Sequence, residues 1–90
     1  MKILKFYADY CSPCRTLTTM LAPFNFPITA VNIKLDPEMT LKYNVRRVPT
    51  LVFVNEEGVE LARETGLVSG NEVNKIIYGL QRDSKDKQTT

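Results

Sequence analysis

The sequence contains no histidine, only four glycines and only two cysteines in 90 residues. A zinc site takes about four ligands. With no histidine and no second cysteine pair, zinc would enter only through a dimer or with carboxylate help. No metal and no cofactor is expected. No apolar run approaches the ~20 residues of a membrane-spanning helix. A net charge of only +2 does not imply a broad nucleic-acid footprint. There is no internal repeat and no low-complexity segment in the interior of the chain. Met1-Lys2 leads straight into strand-like residues without a small-residue cleavage site, so no signal peptide is visible. The expectation is therefore a reducing compartment, the cytoplasm by default, where a lone cysteine pair is more often catalytic than structural. What is present is ordinary: 43% apolar and 24% charged residues, enough for one small domain, read as a monomer over residues 1–82. The last eight residues, 83–90, are wholly polar and are expected to form a disordered tail.

The two cysteines lie three positions apart in Tyr10-Cys11-Ser12-Pro13-Cys14-Arg15, just after the strand-like run Ile3-Leu4-Lys5-Phe6-Tyr7. Ser12 to Leu21 reads as the helix that follows. A Cys-x-x-Cys at such a junction is the redox form of the motif. The first turn of a helix offers unpaired N–H groups and a partial positive charge, and both favour a thiolate over a thiol. Cys11 sits at or before that turn, and Cys14 lies one turn on, within reach of a mixed disulfide formed on Cys11. Pro13 falls where its missing N–H costs little. A purely structural disulfide would stabilise little, because so short a loop removes little chain entropy.

Along the rest of the chain, Lys2 to Tyr7 reads as a first strand and Ser12 to Leu21 as a helix stopped by Pro23. Phe24-Asn25-Phe26-Pro27 is an apolar loop expected to pack. Ile28 to Leu35 has the β-branched and apolar content of a second strand, parallel to the first. Asp36-Pro37 signals a short helix over Glu38 to Tyr43. Leu51-Val52-Phe53-Val54 is the most strand-like run, and after the turn at Asn55-Glu56-Glu57-Gly58 the segment Val59 to Thr65 returns antiparallel to it. Ser69 and Glu72 spell a capping box, with Val68 and Val73 placed for the staple. Val73, Ile76, Ile77 and Leu80 then form one apolar helical face, read as core packing.

The element order, the cysteine pair and a second stretch together resemble the thioredoxin superfamily, over Lys2 to about Gln81. Tyr7-Ala8-Asp9-Tyr10-Cys11-Ser12-Pro13-Cys14-Arg15 is close to that family's aromatic-Ala-acid-Trp-Cys-Gly-Pro-Cys-Lys. Tyr43-Asn44-Val45-Arg46-Arg47-Val48-Pro49-Thr50-Leu51 is close to its Tyr-x-hydrophobic-Arg-x-hydrophobic-Pro-Thr. The resemblance implies an α/β fold of order βαβ(α)ββα, with a central four-stranded mixed sheet flanked by helices. It implies a thiol-disulfide oxidoreductase that reduces protein disulfides, with Cys11 attacking and Cys14 resolving. It also implies a cis Val48–Pro49 bond opposite the cysteines, with Val48 offering its N–H and C=O to an extended substrate. Gly66 would let a substrate backbone approach, and Tyr10, Ser12 and Pro13 would complete the substrate-binding surface. The implied electron donor is of the thioredoxin-reductase type, with glutathione as the alternative. The last belongs to a glutaredoxin reading, for which the short chain and Arg46 and Arg47 speak, while Asp9 and the lack of a Gly-Gly-x-x-Asp-like turn speak against it. A redox-inert binding module is the alternative of a different class, opposed by the intact cysteine pair.

Several positions depart from the family pattern. The chain starts at the strand carrying Lys5, without the family's extra amino-terminal strand and helix. Tyr10 stands for Trp, Ser12 for Gly, and Thr19 for the proline that kinks the first helix. Lys5 occupies the position of the family's buried Asp. Either Lys5 snorkels to an edge and touches nothing catalytic, or its ammonium lies near the cysteines, favours the thiolate and modulates their pKa.

Overall fold

Ile3-Leu4-Lys5-Phe6 shows no alternation of apolar and polar residues, and the reason is that both faces of its strand are covered. The computed structural model describes the backbone of residues 1–89 and the side chains of residues 1–82. The tail expected at 83–90 lies outside the residues whose side chains are described. The strand is β1 (Lys2–Tyr7), and it is followed by α1 (Ser12–Leu21), a 3-10 turn (Ala22–Phe24) and β2 (Ile28–Asn32). Then come α2 (Pro37–Lys42), β3 (Thr50–Val54), β4 (Glu60–Thr65) and α3 (Gly70–Thr89). The four strands form one sheet in the order β2-β1-β3-β4. β1 pairs parallel with β2 and antiparallel with β3, and β3 pairs antiparallel with β4. The expected fold, a four-stranded mixed sheet with flanking helices, is what the chain adopts.

Strand alternation divides the core in two. Ile3 of β1 and Leu51 and Phe53 of β3 face Leu17 and Leu21 of α1 and Val73 of α3. Leu4, Phe6, Val52 and Val54 point the other way, toward Val31, Tyr43 and Val45. The stripe on α3 is core, as read: Val73 is fully buried, and Ile76, Ile77 and Leu80 pack against the first cluster. Lys5 has the parity of Ile3, so it projects from the sheet on the α1 side.

Local signals set most boundaries. Cys11 caps α1, Asp36 Oδ1 caps α2 by accepting from the Met39 N–H at 3.1 Å, and Ser69 Oγ caps α3 by accepting from Glu72 N–H at 3.1 Å. The Glu72 carboxylate turns outward to Lys75 Nζ, 3.5 Å away. α1 runs unbroken through Thr19, whose hydroxyl donates to the Arg15 carbonyl at 3.2 Å. α1 ends at Leu21, and Pro23 is the second residue of the 3-10 turn that follows. The loop after it packs as expected. The rings of Phe24 and Phe26 stack with centroids 5.3 Å apart, and a Cβ on Gly70 would lie 2.1 Å from the Phe24 ring. Any larger residue at the start of α3 would therefore displace that ring.

β2 is the element that departs most from expectation. It stops at Asn32 and does not reach Leu35. Asn32 Oδ1 accepts from the N–H groups of Lys34 and Leu35, at 2.9 and 3.3 Å, and folds the chain into a turn. A side-chain oxygen thus supplies the bonds that further ladder pairing would have made. α2 lies one residue earlier than read, because Pro37 at its first position belongs to it and Tyr43 caps it. Tyr43 also locks α2 to the hairpin: its hydroxyl donates to the Gly58 carbonyl at 2.5 Å, and Arg63 Nη2 donates to its own carbonyl. β4 begins at Glu60, one residue later than expected, and its register with β3 shifts at Leu61, between the pairs Val54↔Glu60 and Phe53↔Ala62.

The two-sided core gives a direct stability expectation. Leu17→Ala, which empties a fully buried site between α1 and the sheet, should cost about 2–5 kcal/mol in urea unfolding. Leu41→Ala, at a side chain 80% exposed on α2, should stay within about 0.5 kcal/mol of the parent.

Candidate active site

The carboxyl end of β1 delivers the chain to the amino end of α1, and the two cysteines sit on that join. Cys11 is the N-cap, in an extended conformation with φ −98° and ψ 100°. Its Sγ accepts from the Cys14 N–H at 3.1 Å, and its carbonyl accepts the first helical bond from the Arg15 N–H at 3.3 Å. Sulfur here takes the place that a Ser or Asp oxygen takes in an ordinary cap. Once the sulfur is a thiolate, the same N–H and the partial positive charge of the helix end stabilise it. Pro13, early in the first turn, withholds no needed donor. The sulfurs of Cys11 and Cys14 are joined as a disulfide, with Cα atoms 5.2 Å apart. Cys11 is partly open to solvent, whereas Cys14 is 3% exposed and faces the protein interior.

A second group of residues lies at the same end of the sheet. The pairs Phe6↔Thr50 and Thr50↔Thr65 bring the start of β3 and the end of β4 level with the end of β1. The Val48–Pro49 bond is cis, as expected. Pro49 is buried and its carbonyl accepts from the Gly66 N–H at 2.8 Å. Thr50 Oγ1 donates to the Arg47 carbonyl at 2.7 Å, which ties down the other flank of this turn. Gly66 has φ +91°, a conformation that favours glycine, and a Cβ built there would meet nothing within 4 Å. Tyr10, 90% exposed, stands beside the cysteines, and Ser12 and Pro13 are also exposed. Among the described residues, neither the N–H nor the C=O of Val48 forms a backbone hydrogen bond.

Lys5 reaches the interior edge of the site. It is 9% exposed, and its Nζ donates to Thr18 Oγ1. Thr18 Oγ1 in turn donates to the Cys14 carbonyl at 3.1 Å. Burial pushes the Lys5 amine below its ordinary 10.5. Among the described residues no three His, Cys, Asp or Glu side chains gather where a metal ion could sit.

Two residues at the site were not read from the sequence. Thr18 is one, and its only local signal is the run of hydroxyls at Thr16, Thr18 and Thr19. Asn32 is the other. It is buried, and its Nδ2 donates to Asp9 Oδ1 at 3.0 Å, pinning the loop before Cys11 to the end of β2. A polar residue inside a strand-like run was the available hint. Of the two arginines considered for a carboxylate, Arg46 turns its Nε to Asn44 Oδ1, 3.3 Å away.

The depressed affinity of Lys5 for its proton makes a pH prediction on the oxidised protein, in which no thiol titrates. Between the lowered folded value and 10.5 the unfolded chain binds more protons than the folded one, so stability rises with pH across that window. Urea unfolding at stepped pH should show the parent gaining stability relative to Lys5→Met as pH rises toward 10.5. A parent-minus-variant difference independent of pH would contradict it.

The sequence matches the Thioredoxin family model over residues 1–79. It is 25% identical over 81 residues to the SPbeta prophage-derived thioredoxin-like protein YosR of Bacillus subtilis, covering 90% of this chain and 100% of that one. It is 30% identical over 80 residues to the thioredoxin of Chlamydia trachomatis, covering 83% of this chain and 78% of that protein. Thioredoxin 1 from Thermosipho africanus has the same fold, with a TM-score of 0.73 and 27% identity over 94% of this chain and 99% of that chain. A helix-capping Cys11, a buried Cys14 in disulfide contact with it and a cis-proline turn at the same end of the sheet give these matches their chemical sense: the chain belongs to the thioredoxin family and is a thiol-disulfide oxidoreductase.

Proposed function

We propose that the protein reduces disulfides in other proteins, cycling between a Cys11/Cys14 dithiol and the Cys11–Cys14 disulfide. The observation that carries this reading is the asymmetry of the pair: a partly exposed Cys11 sulfur bonded to a helix N–H, and a buried Cys14 sulfur behind it. The Cys11 thiolate attacks one sulfur of the target disulfide, and the other target sulfur leaves as a thiolate and is protonated by water. Cys14 gives up its proton and attacks Cys11 Sγ, expelling the second target sulfur. Two electrons pass to the target, and the protein ends as the disulfide. An extended stretch of the target lies across Val48 and Gly66, where free backbone groups and the missing Cβ support strand-like docking. The exposed Tyr10 flanks this stretch, with Ser12 and Pro13 beneath it. The working form is a monomer in the cytoplasm, recharged by a reductase of the thioredoxin-reductase type.

The division of labour between the thiols is tested by trapping. Cys14→Ser, whose one remaining thiol is Cys11, should accumulate mixed disulfides with a disulfide-bearing target, and Cys11→Ser should trap far fewer through Cys14. An equal yield from Cys11→Ser would remove the division of labour, and a higher one would reverse it. Oxidised protein should be reduced by NADPH with a thioredoxin reductase and not by glutathione at the same reducing strength. Reduction by glutathione alone would move the protein to the glutaredoxin type.

The groove makes a separate prediction. Gly66→Val adds a branched side chain in the open space beside the Pro49 turn and forces an unfavourable φ. Insulin-disulfide reduction should fall severalfold while alkylation of Cys11 by iodoacetamide stays close to the parent rate. Equal losses on both would place the effect on the nucleophile and not on the groove.

A further inference from the structure

Behind the disulfide, between α1 and the edge strand β2, lies a cavity of about 300 Å³. Lys5, Tyr7, Asp9, Cys14, Arg15 and Thr18 line it. The charged groups are unequal in freedom. Among the described residues the Asp9 carboxylate is the one negative charge lining it, and it is held by Asn32 Nδ2 at 3.0 Å. Arg15 is exposed and turns its Nη1 to the Asp9 carbonyl at 3.4 Å. β2 contributes only the uncharged Ala30, and Tyr7 brings a phenol. Of the two cations lining the cavity among the described residues, Lys5 is the one rooted inside the fold, its Nζ fixed on Thr18. Thr18 bonds the Cys14 carbonyl and so sets Lys5 against the turn of α1 that carries the buried sulfur.

A buried sulfur becomes a thiolate only if something offsets the loss of water. For Cys14 the helix end does not serve, because its own N–H is directed at Cys11 Sγ. We infer that Lys5, held by Thr18, is a positioning residue for the resolving cysteine: its ammonium stabilises the Cys14 thiolate, favouring the dithiol state and hastening clearance of the mixed disulfide. This rests on the reading of Cys14 as the resolving thiol. In that step the Cys14 thiolate bonds to Cys11 Sγ, the bond from Cys11 to the target sulfur breaks, and the target thiolate takes a proton from water. Lys5 stays an ammonium throughout. In the oxidised protein no thiolate faces it and burial alone acts on it, which is why its proton affinity is lowered there. Opening the disulfide supplies the missing counter-charge. By reciprocity, the sulfur must then strengthen the hold of Lys5 on its proton as much as Lys5 strengthens the thiolate.

The test uses Lys5→Gln, which keeps a donor for Thr18 without charge, and Lys5→Met, which keeps neither. In a Cys11→Ser background the ultraviolet absorbance of the Cys14 thiolate is followed against pH. Both substitutions should move this titration to higher pH and lower the thiolate population at neutral pH on the order of 5-fold. In the intact dithiol, both should make the equilibrium with dithiothreitol more reducing. If Lys5→Gln titrates like the parent and only Lys5→Met shifts, the hydrogen bond acts and the charge does not, and the inference fails. It fails also if neither shifts. Should the variants not fold, the Lys5 Nζ titration by NMR in the unsubstituted protein decides: it must lie at higher pH in the reduced than in the oxidised form, and equal values overturn the inference. None of these readouts needs a protein substrate. Failure of the disulfide-reductase reading would instead appear as unreduced insulin with the Cys14 titration still dependent on Lys5.

Discussion

β1 is hydrogen-bonded on both edges and covered on both faces, and the rest of the molecule is arranged by that double burial. Its two rows of side chains seed the two halves of the core, one under α1 and α3 and the other under α2. Its carboxyl end aims the chain at α1, so the position of Cys11 follows from the register of β1 with β2 and β3. A nucleophile on a flexible loop would need ordering at each turnover. Here the loop is pinned by Asn32 from one side, and the cap bond to Cys11 fixes it from the other.

The chemistry follows from the asymmetry that this placement creates. One sulfur stands at the boundary with solvent and receives a helix N–H, while its partner lies beneath it in the interior. Attack and resolution need different environments, and the two residues Ser12 and Pro13 at the start of α1 separate them. The same face of the sheet that buries Cys14 also carries Lys5. A charge in this position is costly unless a partner is present, and in the oxidised protein that partner is the Thr18 hydroxyl.

Much of this was legible because the signals are local. The helix caps at Asp36 and Ser69, the strands β1 and β3, the stripe on α3 and the cysteine pair are each written within about one or two turns of chain, where propensity and spacing decide. The cis Val48–Pro49 bond was expected from the resemblance alone and from no local rule. What could not be read depends on partners distant in sequence. The strand character of Ile33 and Leu35 extends β2 to Leu35 on local grounds, but the bonds that end it come from the side chain of Asn32. Lys5 could be placed on the α1 face by alternation, yet nothing near it in sequence names Thr18, thirteen residues on, as the group that holds it.

The pairing of β1 with β3 joins residues 2–6 to residues 50–54, while β1, α1 and β2 are contiguous. The dithiol motif therefore emerges early from a ribosome, and the Pro49–Gly66 surface that would present a target to it emerges late. In the interval the chain carries two thiols with no strand-docking surface beside them. Closing the sheet across that span costs loop entropy before its contacts repay it. Competence toward proteins is thus a property of the completed sheet, gained only when the second half of the chain arrives at the first.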